Sequence, residues 1–501
     1  MQTTVSKNNT SYRSFLDCLF FLLLSLLLFW PVLHKSFASD DFSVLYRIIH
    51  QRVFFIRDFF RPLSDISLYG SYLIGGFNPF YYNVVNVMIH AGCAFLLYRF
   101  CLINNFLTVT NRSFFARFAA LLFLIYPFHN EAVIWAIGRG IVLSGFFGFL
   151  SLAVIFLNVK PSRYFLSYLF YFIGLCGYET ILLLPFIILI FLHNENKSLR
   201  KLLPVAGGYL LTLLINLLIR LLVSGTIWGG YGSKMFSSSP AEYFIKFFKA
   251  AGRLFLPPSG MPLFLSICFA AIIACLIILS RYLIKRKDSK SSDYIRISIA
   301  VIISCIIPAM FGLSTRTYEG DRVLYFSSFF LCIWIAYLVA LLKNIKLQLG
   351  ASLGITVYFL IFFYQGVFTW KESGSITDNI IKTTSNIKHP GKKLYLLNMP
   401  EEYNGAQVFR NGFTEALLIN RIDTSGIQVI NHIITDKTAA SIPLIKPVIV
   451  NGNIFVPPYT YVSENNINAR RSYNDSTIVN LKNTSAVMIY YWNNQSFILL
   501  K

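Results

Sequence analysis

Long apolar stretches separated by short polar segments dominate the first 370 positions of the chain. A helix needs about 20 predominantly apolar residues to cross a bilayer, and most of these stretches approach that length. The pattern therefore predicts an α-helical polytopic membrane protein with about eleven transmembrane helices. We expect the spans at residues 15–33, 80–98, 114–128, 136–157, 164–177, 180–193, 203–223, 262–281, 297–314, 323–342 and 349–369.

The pattern changes after residue 370, where Asn, Thr, Ser and Lys become frequent and the apolar runs shorten to strand length. Strands are expected at 393–397, 427–434, 447–456 and 486–492, and a helix at 412–419. The chain is thus expected to divide into a transmembrane domain, residues 1–370, and a small extracytoplasmic α+β domain, residues 371–501.

The composition agrees with a membrane protein. Of the 501 residues, 55% are hydrophobic and 13% are charged, whereas soluble globular proteins carry about 25% charged residues. This deficit excludes a soluble nucleic-acid binder, a disordered chain and a secreted disulfide scaffold. The net charge of +22 must therefore be explained by membrane topology first.

The loops between the predicted spans form two alternating sets. One set totals 74 residues with 18 Lys and Arg, whereas the other totals 107 residues with 12. The positive-inside rule places the first set in the cytoplasm. We therefore expect an integral protein of a bacterial inner (plasma) membrane, with a cytoplasmic N-terminus and an extracytoplasmic C-terminal domain. The basic excess then serves topology and contact with membrane lipids, and no nucleic-acid partner is expected.

Asp40 and Asp41 directly follow the first predicted span, at the outer surface. Adjacent carboxylates raise each other's pKa, so one can act as a base, or both can hold a divalent cation. A solvated helix N-terminus with favourable charge–dipole contacts would explain the same pair.

A second polar group, from His129 to Glu131, lies between two predicted spans. If Asn130 caps a helix, Glu131, Trp135 and Arg139 follow one another at four-residue spacing and share a helix face. That face would present a carboxylate, an aromatic ring and a cation at the outer boundary. Interfacial anchoring by Trp135, or a buried Glu–Arg pair, would explain the same residues.

Two further polar groups lie at outer junctions. Tyr178 and Glu179 separate two spans, and Arg316, Asp321 and Arg322 precede the tenth. Ionisable groups so close to hydrocarbon are costly and usually face a cavity. The arginines could bind a phosphate with paired hydrogen bonds, although a short solvated loop would have the same composition.

Several blocks follow one another in order over residues 15–340. They are Phe37-Ala38-Ser39-Asp40-Asp41, Arg61-Pro62-Leu63-Ser64, Gly76-Phe77-Asn78-Pro79, Asn86-Val87-Met88-Ile89-His90, the segment 126–135 followed by Gly138-Arg139, Tyr178-Glu179, and the segment 321–326. Their order resembles the GT-C glycosyltransferases, and among these the bacterial relatives of TMTC-type and PMT-type O-mannosyltransferases. The specificity lies in the order of the blocks rather than in any one of them.

The resemblance implies a GT-C fold and an enzyme that moves a sugar from a polyprenyl-phosphate carrier to an acceptor protein, glycan or lipid at the outer face. Phosphate is a good leaving group, so no strong general acid is needed. The reaction needs a carboxylate to take the proton of the acceptor hydroxyl, and cations to stabilise the departing phosphate.

The resemblance also implies roles for individual residues. Asp40 is expected to be the catalytic base, with Asp41 as its support or as a metal ligand. The donor phosphate is expected to bind Arg322, with a contribution from Arg139 or Arg316. The expected cavity-lining residues are His129, Glu131, Trp135, Tyr178, Glu179 and Asp321. A cation, if the reaction uses one, would be Mg or Mn, with ligands from Asp40, Asp41, His129 and Glu131.

Two departures from the family and two other functions bear on this interpretation. The family often has Lys where this chain has Tyr178, and the C-terminal region shows no tetratricopeptide period. The alternatives are a polytopic transporter or flippase for a lipid-linked or small solute, and a lipid-linked glycan polymerase or ligase. Transporters bind near the membrane midplane, often between matching halves, whereas the acids here cluster at one surface.

Overall fold

The computed structural model describes the chain from residue 2 to residue 500, with gaps. The gaps are residues 55, 57–58, 104–108, 110, 158–161, 197–198, 228–238, 260–280, 282–288, 390, 431, 436–448, 451–452, 457–458, 464–465, 469–476, 481–486 and 494. The predicted span at 262–281 therefore lies almost entirely outside the described residues.

Helices make up the part of the chain before the C-terminal sheets. In chain order they are α1 (Gln2–Leu28), α2 (Asp40–Ile49), α3 (Pro62–Gly75), α4 (Pro79–Ile103), α5 (Arg112–Leu124), α6 (Asn130–Ile134), α7 (Arg139–Leu157), α8 (Ser162–Leu175), α9 (Leu184–Asn196), α10 (Leu199–Ser224), α11 (Pro240–Arg253), α12 (Ser289–Phe311), α13 (Tyr325–Ala340) and α14 (Ile345–Asn386).

Six helical segments of the described chain are long and apolar enough to cross a membrane. They are Pro79–Leu102, Ala136–Phe156, Leu202–Ser224, Ser292–Phe311, Asp321–Ala340 and Ile345–Asn386. The apolar segments Ser14–Leu28 and Glu179–His193 are shorter than these. The chain is an integral membrane protein, as predicted, but the predicted number of eleven spans is not confirmed.

Aromatic side chains fill the centre of the helical region. The rings of Phe149 and Phe329 stack with centroids 3.8 Å apart, which brings α7 against α13. The ring of Phe123 in α5 contacts both of them edge to face. These buried ring contacts pack α5, α7 and α13 against one another.

The C-terminal region contains twelve described strands. They are β1 (Lys393–Leu397), β2 (Met399–Tyr403), β3 (Ala406–Gln407), β4 (Ile427–Val429), β5 (His432–Thr435), β6 (Ile449–Val450), β7 (Asn453–Val456), β8 (Tyr459–Ser463), β9 (Asn466–Asn468), β10 (Thr477–Asn480), β11 (Val487–Trp492) and β12 (Phe497–Leu499). They form sheets with the orders β12-β11-β1-β4, β10-β7-β6 and β3-β2-β5-β8-β9. The helix α15 (Phe413–Ile419) lies close to its predicted position.

Two predicted strands differ from the structure. The run 427–434 forms two strands in different sheets, because β4 pairs with β1 whereas β5 pairs with β2 and β8. The run 447–456 is described only as β6 and β7, which pair with each other antiparallel. Sequence pattern alone cannot show such a change of sheet, because both halves keep the same residue preferences.

The membrane region and the C-terminal domain are joined by one long helix and one shared core. Helix α14 runs without interruption through residue 370, so the predicted domain boundary falls inside it. Phe42 and Leu45 of α2 pack in the same buried cluster as Phe409 and Leu417 of the C-terminal domain. The sheet domain therefore packs directly on helix α2.

Candidate active site

Asp41 is fully buried at the start of α2. Its carboxylate accepts hydrogen bonds from the backbone N–H of Ala38 at 2.9 Å and of Ile137 at 2.9 Å. Burial raises the pKa of Asp41 to about 6, and the nearby Lys35 and the two N–H donors limit that rise. Asp41 thereby ties the start of α2 to the loop before α7.

Asp40, the neighbouring carboxylate, is half-buried. Its Oδ1 accepts a hydrogen bond of 2.8 Å from the side-chain amide of Asn411 in the C-terminal domain. In the described part of the chain, no Lys, Arg or His forms an ion pair with Asp40. Its charge therefore stays available for a reaction.

The residue before Asp40 has an unusual backbone conformation. Ser39 is buried and has φ of 49° and ψ of −120°, a region that residues other than glycine rarely adopt. Such a conformation costs about 1–3 kcal/mol and persists only where neighbouring contacts enforce it. We call Ser39, Asp40 and Asp41 the acidic segment.

Glu131 forms a buried ion pair with Arg322. One carboxylate oxygen accepts from the Arg322 guanidinium, and the other accepts from the Arg322 backbone N–H at 2.9 Å. The side chain of Arg322 is 22% exposed, whereas that of Glu131 is fully buried. This is the buried Glu–Arg pair considered as an alternative from the sequence, but with an arginine from a different junction.

The prediction that Glu131, Trp135 and Arg139 share one helix face is wrong. Helix α6 ends at Ile134, and Trp135 is extended, with φ of −78° and ψ of 127°. A 3-10 turn, Ala136–Gly138, then precedes α7. The break separates the three side chains, since they no longer follow a continuous helical spacing.

Trp135 connects the acidic segment with the ion pair of Glu131 and Arg322. Its Nε1 donates a hydrogen bond of 3.2 Å to the carbonyl of Ala38, directly before the acidic segment. The guanidinium carbon of Arg322 lies 5.3 Å from the centre of its ring, within cation–π range. Trp135 therefore contacts both Arg322 and the residue directly before the acidic segment.

Arg139 has a different environment from Arg322. Its guanidinium is fully buried and donates to Oδ1 of Asn86 at 2.7 Å, to the Ser67 carbonyl at 2.8 Å, to Oγ of Ser71 at 2.7 Å and to the Tyr82 carbonyl at 2.7 Å. These neutral acceptors join α3, α4 and α7. They occupy the donors that a phosphate would need, so the structure gives Arg139 a packing role.

Asp321 forms a second buried ion pair, with Arg253 at the end of α11. The Nη2 of Arg253 lies 2.6 Å and 2.7 Å from the two carboxylate oxygens, and both side chains are 2% exposed. We call Glu131, Arg253, Asp321 and Arg322 the ion-pair cluster. Arg253 was not among the candidates because its loop gives no motif.

Tyr178 and Glu179 lie with two arginines. The Glu179 carboxylate is 2.6 Å from Arg220 and 3.5 Å from Arg61. The guanidinium carbon of Arg61 lies 3.9 Å from the centre of the Tyr178 ring. Where the family often has Lys, the aromatic ring of Tyr178 thus supports a cation supplied by the Arg61 block.

Two of the remaining candidates differ in accessibility. Arg316 is exposed, and no acidic side chain of the described residues pairs with it. His129 is fully buried, and its Nδ1 lies 3.1 Å from Oγ of Ser328 in α13.

The described residues contain no group of three or more His, Cys, Asp or Glu arranged to hold a metal. Each Asp41 oxygen already accepts a backbone N–H group, and we derive no step through a cation.

An arginine of the C-terminal domain joins a further acidic group. Arg410 pairs with Glu319 at 2.7 Å, with Glu402 at 2.9 Å and with Glu401. Burial and the nearby Glu319 raise the pKa of Glu402. Arg410 and Asn411 are the functional candidates that sequence reasoning missed, because an isolated Arg-Asn pair in a polar region carries no signal.

Comparisons with known proteins find local similarity to one family. No profile of a known family matches the chain. Part of the sequence is 34% identical over 108 residues to the protein O-mannosyl-transferase tmtc2 of Xenopus laevis, covering 22% of this chain and 12% of that protein. Another comparison gives 36% identity over 93 residues with TMTC2 of Homo sapiens, covering 19% of this chain and 10% of the relative. The resemblance to TMTC-type proteins is thus confirmed over about a fifth of the chain, and the match spans about a tenth of the length of these relatives.

Two solved membrane-protein structures align with much of the chain. The archaeal oligosaccharyltransferase AglB from Archaeoglobus fulgidus, in complex with an inhibitory peptide and a dolichol-phosphate, has 12% identity and a TM-score of 0.42, and the alignment covers 78% of this chain and 62% of AglB. ArnT from Cupriavidus metallidurans in the apo state has 12% identity and a TM-score of 0.47, with 83% and 85% covered.

Proposed function

We propose that this protein is an integral-membrane glycosyltransferase that moves a sugar from a polyprenyl-phosphate-linked donor to an acceptor at the outer face. The observation that carries the proposal is that Trp135 links Arg322 to the segment of Asp40, a half-buried carboxylate without an ion-pair partner among the described residues. The local similarity to protein O-mannosyl-transferases supports the same reaction class.

The chemistry follows from these two groups. Asp40 takes the proton of the acceptor hydroxyl while the hydroxyl oxygen attacks the anomeric carbon of the sugar. The bond between that carbon and the phosphate oxygen breaks, and the lipid phosphate leaves with the bonding electrons. Arg322 stabilises the charge that develops on the phosphate, and the exposed Arg316 contributes at the rim.

The proposal assigns distinct roles to the other candidates. Asp41 supports Asp40 by holding the start of α2, and Trp135 aligns the two polar groups. Tyr178 and Glu179 contribute a surface next to Arg61 for the donor. Mannose is the sugar that the local similarity favours, and a protein, glycan or lipid hydroxyl is the acceptor.

The proposal also includes an orientation. The N-terminus lies in the cytoplasm of a bacterial cell, and the acidic segment and the C-terminal domain lie outside the inner membrane, as the loop charges predict. An impermeant maleimide should label Thr414→Cys in intact cells and Lys343→Cys only after permeabilisation. The reverse pattern would place the acidic segment on the wrong side and contradict the proposal.

The decisive test is transfer of radiolabelled sugar from polyprenyl-phosphate donors by the purified protein. Asp40→Asn should abolish transfer and leave donor binding unchanged, because the amide cannot accept the proton. Asp423→Asn is the matched control, since Asp423 is exposed and, among the described residues, its carboxylate accepts hydrogen bonds from Ser425 alone. Near-normal turnover by Asp40→Asn would refute the assignment. Inactivity with every donor, together with solute uptake in proteoliposomes, would favour a transporter.

A further inference from the structure

The strained conformation of Ser39 is enforced by a segment more than 360 residues away in the chain. The backbone N–H of Ser39 donates to the Val408 carbonyl at 2.7 Å, and Oγ of Ser39 accepts from the backbone N–H of Asn411 at 3.1 Å. Both contacts come from residues 408–412, the stretch that leads into α15. Without them, nothing in the sequence around Ser39 favours a positive φ.

Gly412 brings this stretch against the acidic segment. It has φ of +78°, and a Cβ atom at this position would lie 2.4 Å from the Ser39 carbonyl oxygen. A side chain would therefore have to push the two backbones apart. The close approach places Asn411 where its amide reaches Oδ1 of Asp40.

Aromatic packing fixes the same stretch to α2. The rings of Phe42 and Phe409 are stacked, with centroids 5.7 Å apart and an interplanar angle of 20°. Phe409 in turn packs edge to face on Phe413. The buried rings supply the rigid contact, and the exposed Asn411 lies at the rim, beside the carboxylate.

We propose that residues 408–412 of the C-terminal domain are a positioning element of the transfer reaction, which hold Ser39 in its strained conformation and orient the Asp40 carboxylate through Asn411. This inference rests on the proposed function of Asp40. A general base must lie within hydrogen-bond reach of the hydroxyl that it deprotonates, and a displacement of about 1 Å can cost a hundredfold in rate. The sheet domain would then be part of the active site rather than an appended module.

The first test compares two glycine substitutions in the full-length protein. Gly412→Ala should lower kcat at least tenfold, with the KM for polyprenyl-phosphate-linked sugar within twofold of the wild-type value, because donor binding does not use this stretch. Gly391→Ala is the matched control. Gly391 also has a positive φ, of +67°, but a Cβ atom there meets nothing within 4 Å. It should reproduce the backbone strain without the loss of turnover.

The second test removes only the contact with Asp40. Asn411→Ala should lower kcat roughly threefold to tenfold and leave the thermal midpoint unchanged, because the hydrogen bond is exposed and orients the carboxylate rather than stabilising the fold. Asn420→Ala is its control, since the Asn420 amide donates to the Ala416 carbonyl of its own helix and to no other group of the described chain. Hydrogen exchange of residues 36–45 gives a readout independent of turnover and should rise in Gly412→Ala but not in Gly391→Ala.

The outcomes separate the two proposals. If Asp40→Asn is inactive while Gly412→Ala and Asn411→Ala both turn over as the wild type, the positioning inference is wrong and the proposed function stands. If Asp40→Asn is active, both the positioning inference and the proposed function are wrong. If Gly412→Ala does not fold, Asn411→Ala decides alone, through the separation of kcat from KM.

Discussion

The acidic segment and the ion-pair cluster are joined through Trp135, but the charges of their carboxylates are held differently. The carboxylates of Asp40 and Asp41 accept hydrogen bonds from neutral amides. In the ion-pair cluster, Glu131 and Asp321 each face an arginine. A neutral donor orients a carboxylate without cancelling its charge, whereas an arginine neutralises it.

Under the proposed function, this difference separates the side chain that reacts from the side chains that hold the loops together. Asp40 keeps an uncompensated charge and access to solvent, which a base requires. Asp321 and Arg253 compensate each other out of contact with water, which suits a structural tie between loops. Arg322 combines properties of both groups, because it is paired with Glu131 and is still partly exposed to solvent.

The largest expected effect comes from breaking the buried pair of the cluster. Asp321→Asn leaves the Arg253 charge buried without its partner, so we expect the free energy of unfolding to fall by about 3–5 kcal/mol. Denaturant unfolding in detergent micelles measures the change. The double variant Asp321→Leu with Arg253→Met removes both charges and should recover most of the loss. A double variant no more stable than the single one would contradict a charge-based cause.

In the acidic segment, the burial of Asp41 should instead make the stability of the protein depend on pH. The pKa of Asp41 is raised to about 6 in the folded chain from its ordinary value of 3.8. The folded state therefore holds this proton to higher pH than the unfolded state, and stability falls as pH rises from about 4 to about 6. The expected loss is roughly 3 kcal/mol relative to Asp41→Asn, which has no such titration. Parallel pH profiles for the two proteins would show that Asp41 is not buried.

A smaller effect tests whether Arg322 binds by shape or by charge alone. Arg322→Lys keeps the positive charge but loses the paired donors and the planar stacking on Trp135. We expect transfer activity to fall roughly tenfold and donor affinity to fall with it. Unchanged binding of polyprenyl phosphate to Arg322→Ala, with lowered thermal stability, would instead assign Arg322 to the ion pair with Glu131.

The smallest effect belongs to Arg316. Its side chain is exposed, so screening by salt weakens any contact with a phosphate. Arg316→Ala should leave stability unchanged and weaken donor affinity by about twofold at most in 0.15 M salt, rising at low ionic strength. A loss larger than that of Arg322→Lys would reverse the order of the two arginines.

Sequence reasoning located what depends on local pattern. The apolar runs predicted an integral membrane protein, although the number of eleven spans is not confirmed, and the position of Asp40 after the first run made it the candidate base. Sequence reasoning failed where contacts between distant parts of the chain determine the structure. Spacing suggested a face shared by Glu131 and Arg139, but the extended Trp135 interrupts the helix, so Glu131 found a partner in another junction. Asn411 carries no signal, because its role depends on a backbone approach across the chain.

The contacts between residues 408–412 and Ser39 also set an order of events during biosynthesis. Asp40 and Asn411 are 371 positions apart, and a chain is made from its N-terminus at about 5–20 residues per second. The acidic segment therefore emerges roughly 20–75 s before the residues that complete it. Under the proposed function, a chain truncated before Val408 would insert its helices without the contacts that hold Ser39, and such incomplete copies would reach the membrane without transfer activity.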